Sequence, residues 1–168
     1  TWVGDVVMAT PFLDAVFQRF SSAEITLLTQ RHLFSLLEGS PWDQRVEFWP
    51  PRNKSPAARH EHKALLARLR QRQFDLAVML PNSLRSAWLC WRSGARRRVG
   101  FSRDGRRFLL TDPIQTPNKI RGGYRPIPQV DYYARLALAL GCEPSGDNLK
   151  LFTTDDCDRV VDSRLEEA

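Results

Sequence analysis

Short apolar runs alternate along the chain with longer segments whose apolar residues recur at helical spacing. The clearest run, Phe74–Leu80, is apolar enough for a strand that is buried on both faces. The pattern predicts strands over Glu24–Thr29, Arg45–Trp49, Phe74–Leu80 and Arg98–Phe101, and helices over Asp5–Phe20, His32–Glu38, Ala57–Gln73, Ser83–Arg92, Gln129–Leu140 and Asp155–Glu167. Such alternation predicts an α/β domain with a mostly parallel sheet flanked by helices.

Several boundary residues support these helices. Ser83 is a preferred N-cap, and Gly39 and Gly141 stand where helices commonly end. Pro11 lies inside the first helical pattern, so we expect a kink or a split there. The stretch Pro113–Pro128 is rich in proline, glycine and basic residues and is predicted to be a long loop of functional importance.

Turns that enter helices lie at the carboxyl ends of parallel strands, where ligands bind in open α/β sheets. Four such turns carry polar residues, namely Trp2–Asp5, Thr29–His32, Pro81–Ser83 and Phe101–Arg106. The sequence contains neither a GxGxxG motif nor a phosphate-binding loop ending in Lys-Ser/Thr, so a dinucleotide site and a nucleoside triphosphatase are not supported.

Two of these turns hold candidate chemistry. Gly4 would allow close approach of a ligand to the backbone, and Asp5 is either a first-turn capping acid or a general base. Asn82 and Ser83 are most simply helix caps, but their amide and hydroxyl groups could also hold a sugar hydroxyl or a phosphate.

The 168 residues have a normal apolar fraction of 42% and a net charge of +6. These values exclude a disordered tail and a disulfide-stapled miniprotein, and no run is long enough for a membrane helix. The charge is concentrated between Arg85 and Arg125, where eleven basic residues face only Asp104 and Asp112, a local charge of +9. An arginine-rich block of this kind favours an anionic partner.

Metal and disulfide chemistry have little support in the sequence. The three cysteines are widely spaced, with no CxxC motif, and Cys90 is interpreted as a core thiol. His60 and His62 are two residues apart and do not share a helix face, so no metal site is predicted. Trp88 and Trp91 are assigned to packing, either in the core or at an interface.

An ordered set of segments spans nearly the whole chain. They are Trp2–Pro11, Ala23–Leu28, Leu36–Gly39, Phe74–Ser83, Arg85–Ala87, Arg97–Phe101, Arg103–Arg106, Leu109–Thr111 and Val130–Tyr133 leading to Gly141. In order and spacing they resemble the ADP-heptose:lipopolysaccharide heptosyltransferases of glycosyltransferase family 9, in particular the heptosyltransferase II branch. One departure is that Pro128 and Gln129 stand where members of that family often carry His.

The resemblance implies a GT-B fold, in which two Rossmann-like domains face each other across a cleft. It implies that residues 1–150 form the acceptor-binding N-terminal domain without its first strand, and that residues 151–168 begin the connection to a missing donor-binding domain. The chain is therefore expected to be truncated at both ends and inactive alone. Strands next to the missing first strand, such as the predicted strand Glu24–Thr29, are expected to lose a pairing partner, which would leave the sheet marginal.

The resemblance also implies the activity. Such an enzyme moves heptose from ADP-heptose to the phosphorylated inner core of lipopolysaccharide with inversion, using no cofactor and no metal, in the cytoplasm at the periphery of the inner membrane. Asp5 occupies the position of the aspartate that serves as the base. Residues expected to bind the acceptor are Gly4, Asn82, Ser83, Arg85, Arg103, Arg106 and Arg107. The arginine block could also favour the anionic membrane surface.

Two alternatives stay open. A basic nucleic-acid-binding module would need aromatic residues interleaved with the cations for base stacking, and no nucleic-acid partner is expected. A related heptosyltransferase could use a protein or another glycan as acceptor. Arg96, Arg97 and Arg98 are left without a role because they enter a strand and could simply flank it.

Overall fold

The computed structural model describes residues 3–51, 55–117, 119–143, 146 and 148–166. Its helices are α1 Val3–Met8, α2 Thr10–Arg19, α3 Pro56–Gln71, α4 Leu84–Arg92, α5 Gln129–Ala139 and α6 Asp155–Glu166. Its strands are β1 Leu27–Gln30, β2 Val46–Trp49, β3 Leu76–Met79, β4 Arg97–Phe101, β5 Asp112–Ile114, β6 Lys119–Ile120 and β7 Gly123–Tyr124. Short 3₁₀ turns cover Arg31–Leu36, Asp43–Arg45 and Arg106–Leu109. The predicted Trp2 turn residue and helix end Glu167 lie outside the described residues.

The strands form a parallel α/β arrangement, as predicted. β1 pairs with β2, and β3, β4 and β5 pair in that order, all in parallel. In the described part of the chain no backbone hydrogen bonds pair β1 with β3. The β1–β2 sheet and the β3–β4–β5 sheet are therefore held together by side-chain packing in a common core. β6 and β7 form a separate antiparallel hairpin.

Most helix boundaries follow the predicted signals closely, but the predicted helix His32–Glu38 is instead a 3₁₀ turn over Arg31–Leu36. The first helical pattern is split into α1 and α2 at Ala9, with Pro11 in the first turn of α2, where its missing N–H removes no helical hydrogen bond. The Ser83 hydroxyl accepts a hydrogen bond from the Ser86 amide at 3.2 Å and caps α4. Gly141 follows α5 with a φ of +73°.

Part of the predicted loop is a strand. β5, residues Asp112–Ile114, pairs with β4 in the register Val99 with Asp112 and Phe101 with Ile114. Pro113 lies in the middle of this short strand, and proline is tolerated there because β5 is the edge of its sheet. The prediction of a loop over Pro113–Pro128 is therefore wrong for its first two residues, and also for the hairpin formed by β6 and β7.

One large core positions the functional edge of the domain. α1, α2 and α5 bury their apolar faces against the sheets, with Trp42, Phe101 and Leu136 fully or almost fully buried. Trp88 and Trp91, in contrast, are not part of the core: their exposed fractions are 46% and 49%. Among the described residues, no helix is both long and apolar enough to cross a bilayer.

Candidate functional site

The carboxyl ends of the strands meet at one edge of the domain. Arg85, in the first turn after β3, lies over the ring of Trp49, the last residue of β2, at 4.9 Å. At the opposite edge Arg72, which precedes β3, donates to the Thr26 hydroxyl just before β1 at 2.7 Å. The strands of the β1–β2 sheet and of the β3–β4–β5 sheet therefore run in the same direction. The turns that carry the candidate residues lie together at the carboxyl ends of these strands.

Asp5 lies at this edge beside α5. It is half-buried in the first turn of α1, and α1 packs against α5. Burial, and after it the negative charge of Asp5, raise the pKa of Tyr133 to about 12. The Tyr133 phenol therefore stays protonated at neutral pH, next to a carboxylate.

Asn82 is held by two donors from different elements. Its Oδ1 accepts a hydrogen bond from the Tyr132 hydroxyl at 3.1 Å and from Nη2 of Arg106 at 3.2 Å. The Tyr132 ring stacks on Phe101 with centroids 4.1 Å apart, and burial raises the pKa of its phenol. The first turn of α5 therefore lies beside both predicted site residues: its Tyr132 donates to Asn82, and its Tyr133 lies within the electrostatic influence of Asp5.

Arg106 lies inside the protein rather than at the surface. Its side chain is fully buried, with an exposed fraction of 0%. Its guanidinium donates to the carbonyl of Phe101 at 2.9 Å, to the carbonyl of Pro81 and, at 3.4 Å, to Ser86 Oγ. Burial lowers the pKa of this guanidinium. In this structure Arg106 joins the turns after β3 and β4, so it orients the edge and is not exposed for direct contact with an acceptor.

The buried guanidinium leaves no space for a side chain at Gly100. A Cβ at Gly100 would lie 3.2 Å from Arg106 Nη2 and 3.4 Å from Met79 Cβ. We expect Gly100→Ala to lower the free energy of unfolding by about 1–3 kcal/mol, because the neighbours must move. Urea denaturation measures this, with Gly123→Ala as the matched control, since a Cβ there meets nothing within 4 Å. Equal stability of the two variants would contradict the crowding argument.

Arg103 is a partly exposed cation at this edge, less exposed than Arg85 and Arg107. Its guanidinium lies over Tyr124 at 3.9 Å. Its buried Nε has no hydrogen-bond acceptor among the described residues and is 3.5 Å from Asp104 Oδ1. A partly desolvated guanidinium with an exposed portion is suited to bind phosphate or carboxylate.

The other predicted residues lie around the same edge. Arg85 Nη2 is 3.0 Å from Nε2 of His62, whose pKa is lowered by burial and by the Arg85 charge. Arg107 and Ser83 are exposed, and the Ser83 hydroxyl is engaged in capping α4. Gly4 is exposed, and a Cβ there would meet only Met8 Cε at 3.7 Å, so the fold itself does not require glycine at this position.

The arginine block is divided between the two edges. Arg96 pairs with Asp75 at 3.0 Å, and Arg97 pairs with Asp112 at 2.7 Å. Arg98 donates to the carbonyls of Leu109 and Ala95 at 2.8 Å and 2.7 Å. These three residues, left without a role by the sequence, secure the amino ends of β3, β4 and β5, away from the candidate site.

Sequence reasoning missed Tyr132 and Tyr133 as site residues. Their signal was available, because both belong to the Val130–Tyr133 segment of the family pattern, but their aromatic rings resemble core residues in sequence. The described residues contain no group of three or more His, Cys, Asp or Glu that could hold a metal ion.

The Rossmann-like α/β fold is the one expected for one half of a GT-B glycosyltransferase. A carboxylate, an amide and arginines lie at the carboxyl edge of this domain. The family model for glycosyltransferase family 9 (heptosyltransferase) matches residues 62–136. The chain is 26% identical to lipooligosaccharide heptosyltransferase 2 of Haemophilus ducreyi over 152 residues, which is 90% of this chain and 41% of that protein. The chain is therefore similar to glycosyltransferase family 9, both in the segment that the family model matches and along most of its length.

Solved structures show the same fold. The glycosyl transferase family 9 structure from Veillonella parvula superimposes with a TM-score of 0.77 at 18% identity, covering 100% of this chain and 47% of that one. The ADP-heptose lps heptosyltransferase II of Escherichia coli gives a TM-score of 0.69 at 21% identity, covering 98% and 48%. The chain thus spans somewhat less than half the length of these relatives.

Proposed function

We propose that this chain is the acceptor-binding half of a glycosyltransferase that moves heptose from ADP-heptose to the phosphorylated inner core of lipopolysaccharide. The observation that carries the proposal is that Asp5 and Asn82 both lie beside α5: α1 packs against α5, the charge of Asp5 acts on Tyr133, and Tyr132 donates to Asn82. A carboxylate and the Arg103 cation would then share one edge of the domain. The similarity to the family model and the names of the relatives suggest the substrate class.

The reaction needs a base, because a sugar hydroxyl is a weak nucleophile. In the proposed mechanism Asp5 takes the proton of the acceptor hydroxyl while its oxygen attacks the anomeric carbon of heptose. The new carbon–oxygen bond forms as the bond to the diphosphate breaks, and ADP leaves from the opposite face with inversion. Donor binding is assigned to sequence beyond the chain described, and no cofactor is invoked.

Arg103 and Arg85 would bind the acceptor through its phosphates and carboxylates. Charge-assisted, bidentate contacts from arginine are stronger than neutral hydrogen bonds and fix the orientation of the anion. Arg106 contributes indirectly, since it holds Asn82 and the turn that carries Arg103. The enzyme would work in the cytoplasm at the periphery of the inner membrane, where a lipid-linked acceptor is reached from the anionic surface.

Binding of core oligosaccharide tests this assignment. In the full-length gene product, Arg103→Ala is expected to weaken binding of phosphorylated core oligosaccharide by about 10- to 100-fold, as lost charged hydrogen bonds do. Titration calorimetry measures the affinity. Arg96→Ala is the matched control, because it removes the same charge from the same block at the opposite edge.

Two results would contradict the proposal. One is an equal loss of affinity in both variants, which would indicate a general charge effect. The other is salt-dependent binding of single-stranded DNA together with no binding of core oligosaccharide, which would favour the nucleic-acid alternative.

A further inference from the structure

The outward face of α4 carries a row of large apolar side chains. Leu84, Trp88 and Trp91 are spaced four and three residues apart and therefore lie on one side of the helix. Their exposed fractions are 49%, 46% and 49%. The opposite side of α4, with Ala87 and Leu89, is buried in the domain. This row, called here the α4 aromatic face, therefore lies on the surface and does not contribute to the core.

Arginines border the α4 aromatic face. Arg85 and Arg92 are seven residues apart, so they lie along one flank of the row, and the Arg92 guanidinium lies over Trp88 at 5.1 Å. The 3₁₀ turn Arg106–Leu109 packs against α4 and adds Phe108, which is 76% exposed, next to the exposed Arg107. Exposed aromatic and cationic side chains therefore share the window that carries a charge of +9.

We propose that the α4 aromatic face docks the protein onto an anionic phospholipid surface. Tryptophan favours the headgroup level of a bilayer, since its ring is apolar and its N–H remains hydrated. Each arginine near an anionic membrane is attracted to its negative surface potential. The combination gives the two contributions, apolar insertion and charge attraction, that hold interfacial helices on membranes.

Two other occupants fit the surface less well. A second copy of the chain would bring two windows of the same positive charge together, which is unfavourable. Single-stranded nucleic acid binds in grooves that follow its backbone, whereas this face is the convex side of a helix. An anionic membrane complements both the charge and the shape of the face.

The inference rests on the proposed function in one respect, namely that the acceptor is lipid-linked. α4 begins directly after Asn82 and Ser83, so its N-terminal end belongs to the candidate site. Docking through the α4 aromatic face would hold that edge of the domain near the membrane surface. A lipid-linked acceptor could then enter the site without leaving the bilayer.

Vesicle sedimentation of the full-length gene product tests the proposal. The probes are mixed phosphatidylethanolamine–phosphatidylglycerol vesicles and, for comparison, pure phosphatidylcholine vesicles. Combining Trp88→Gln with Trp91→Gln is expected to reduce partition onto the anionic vesicles about tenfold or more, because two interfacial side chains are lost. The matched control combines Leu138→Gln with Leu151→Gln, which changes exposed apolar residues elsewhere.

Transfer assays separate this inference from the proposed function. The tryptophan variant should transfer heptose normally to a soluble, delipidated core oligosaccharide and more slowly to the same core embedded in vesicles. Normal soluble transfer also shows that the variant is folded. Unchanged vesicle partition of the variant would overturn the docking proposal, as would a tryptophan-dependent dimer or tryptophan-dependent binding of single-stranded DNA in place of vesicle binding. Absence of transfer by the unmodified protein would count against the proposed function alone.

Discussion

Asp5→Asn lowers kcat for heptose transfer by about 10²- to 10⁴-fold in the full-length gene product, which is the usual contribution of a general base. The amide has the shape of the carboxylate but cannot accept the proton of the acceptor hydroxyl. Binding of the acceptor should change little, since Arg103 and Arg85 remain. The measurement is the release of ADP from ADP-heptose at saturating core oligosaccharide.

The control for Asp5→Asn is the same substitution at Asp75, which lies at the opposite edge of the domain. Asp75 is exposed and pairs with Arg96 at the amino edge, so Asp75→Asn should leave kcat near the unmodified value. Thermal unfolding of both variants shows whether they are folded. Turnover by Asp5→Asn close to that of the unmodified enzyme would remove Asp5 from the mechanism.

Arg106→Met lowers the free energy of unfolding by about 2–4 kcal/mol, because the carbonyls of Pro81 and Phe101 lose a buried donor. Methionine fills much of the volume, so the loss reports mainly the hydrogen bonds. Arg106→Lys should recover only part of the stability, since one ammonium cannot reach acceptors on two turns and on Asn82. Urea denaturation measures both variants.

The neighbouring arginine is the control for this prediction. Arg107 is exposed, so Arg107→Met should change the free energy of unfolding by no more than about 0.5 kcal/mol. If Arg106→Met lowered the free energy of unfolding as little as Arg107→Met, the hydrogen bonds of the buried Arg106 guanidinium would not stabilise the carboxyl edge. A large loss in both would indicate that charge, rather than burial, is responsible.

Local signals in the sequence were sufficient for most elements. Ser83 placed the start of α4, Gly141 the end of α5, and Pro11 the split between α1 and α2, because each acts on the backbone within one turn. β5 could not be predicted in the same way. It is only three residues long and contains Pro113, and its existence depends on the free edge of β4.

The candidate site shows the same division. The sequence indicated the turns with Asp5, Asn82 and Arg103 because they follow strands in a parallel sheet. The Val130–Tyr133 segment was part of the family pattern, but its spacing along the chain did not show that Tyr132 would lie against Asn82 or Tyr133 near Asp5, since α5 lies far along the chain. Trp88 and Trp91 were assigned to the core or to an interface, and the core alternative is wrong, since both are half exposed; helical spacing alone does not say which face of α4 is covered.

Taken alone, the sequence determined the α/β class, the family resemblance, and a positive window that predicts an anionic partner. These features rest on periodicity, on short segments in order and on charge, all of which are readable along the chain. Tertiary structure decided which arginines remain available. Arg96, Arg97 and Arg98 are used at the amino edge and Arg106 is buried on backbone carbonyls, whereas Arg85 and Arg107 stay exposed and Arg103 partly exposed. The reason is physical: the role of a guanidinium depends on the acceptors around it, and most of those acceptors are backbone and side-chain oxygens that only the folded chain brings into reach.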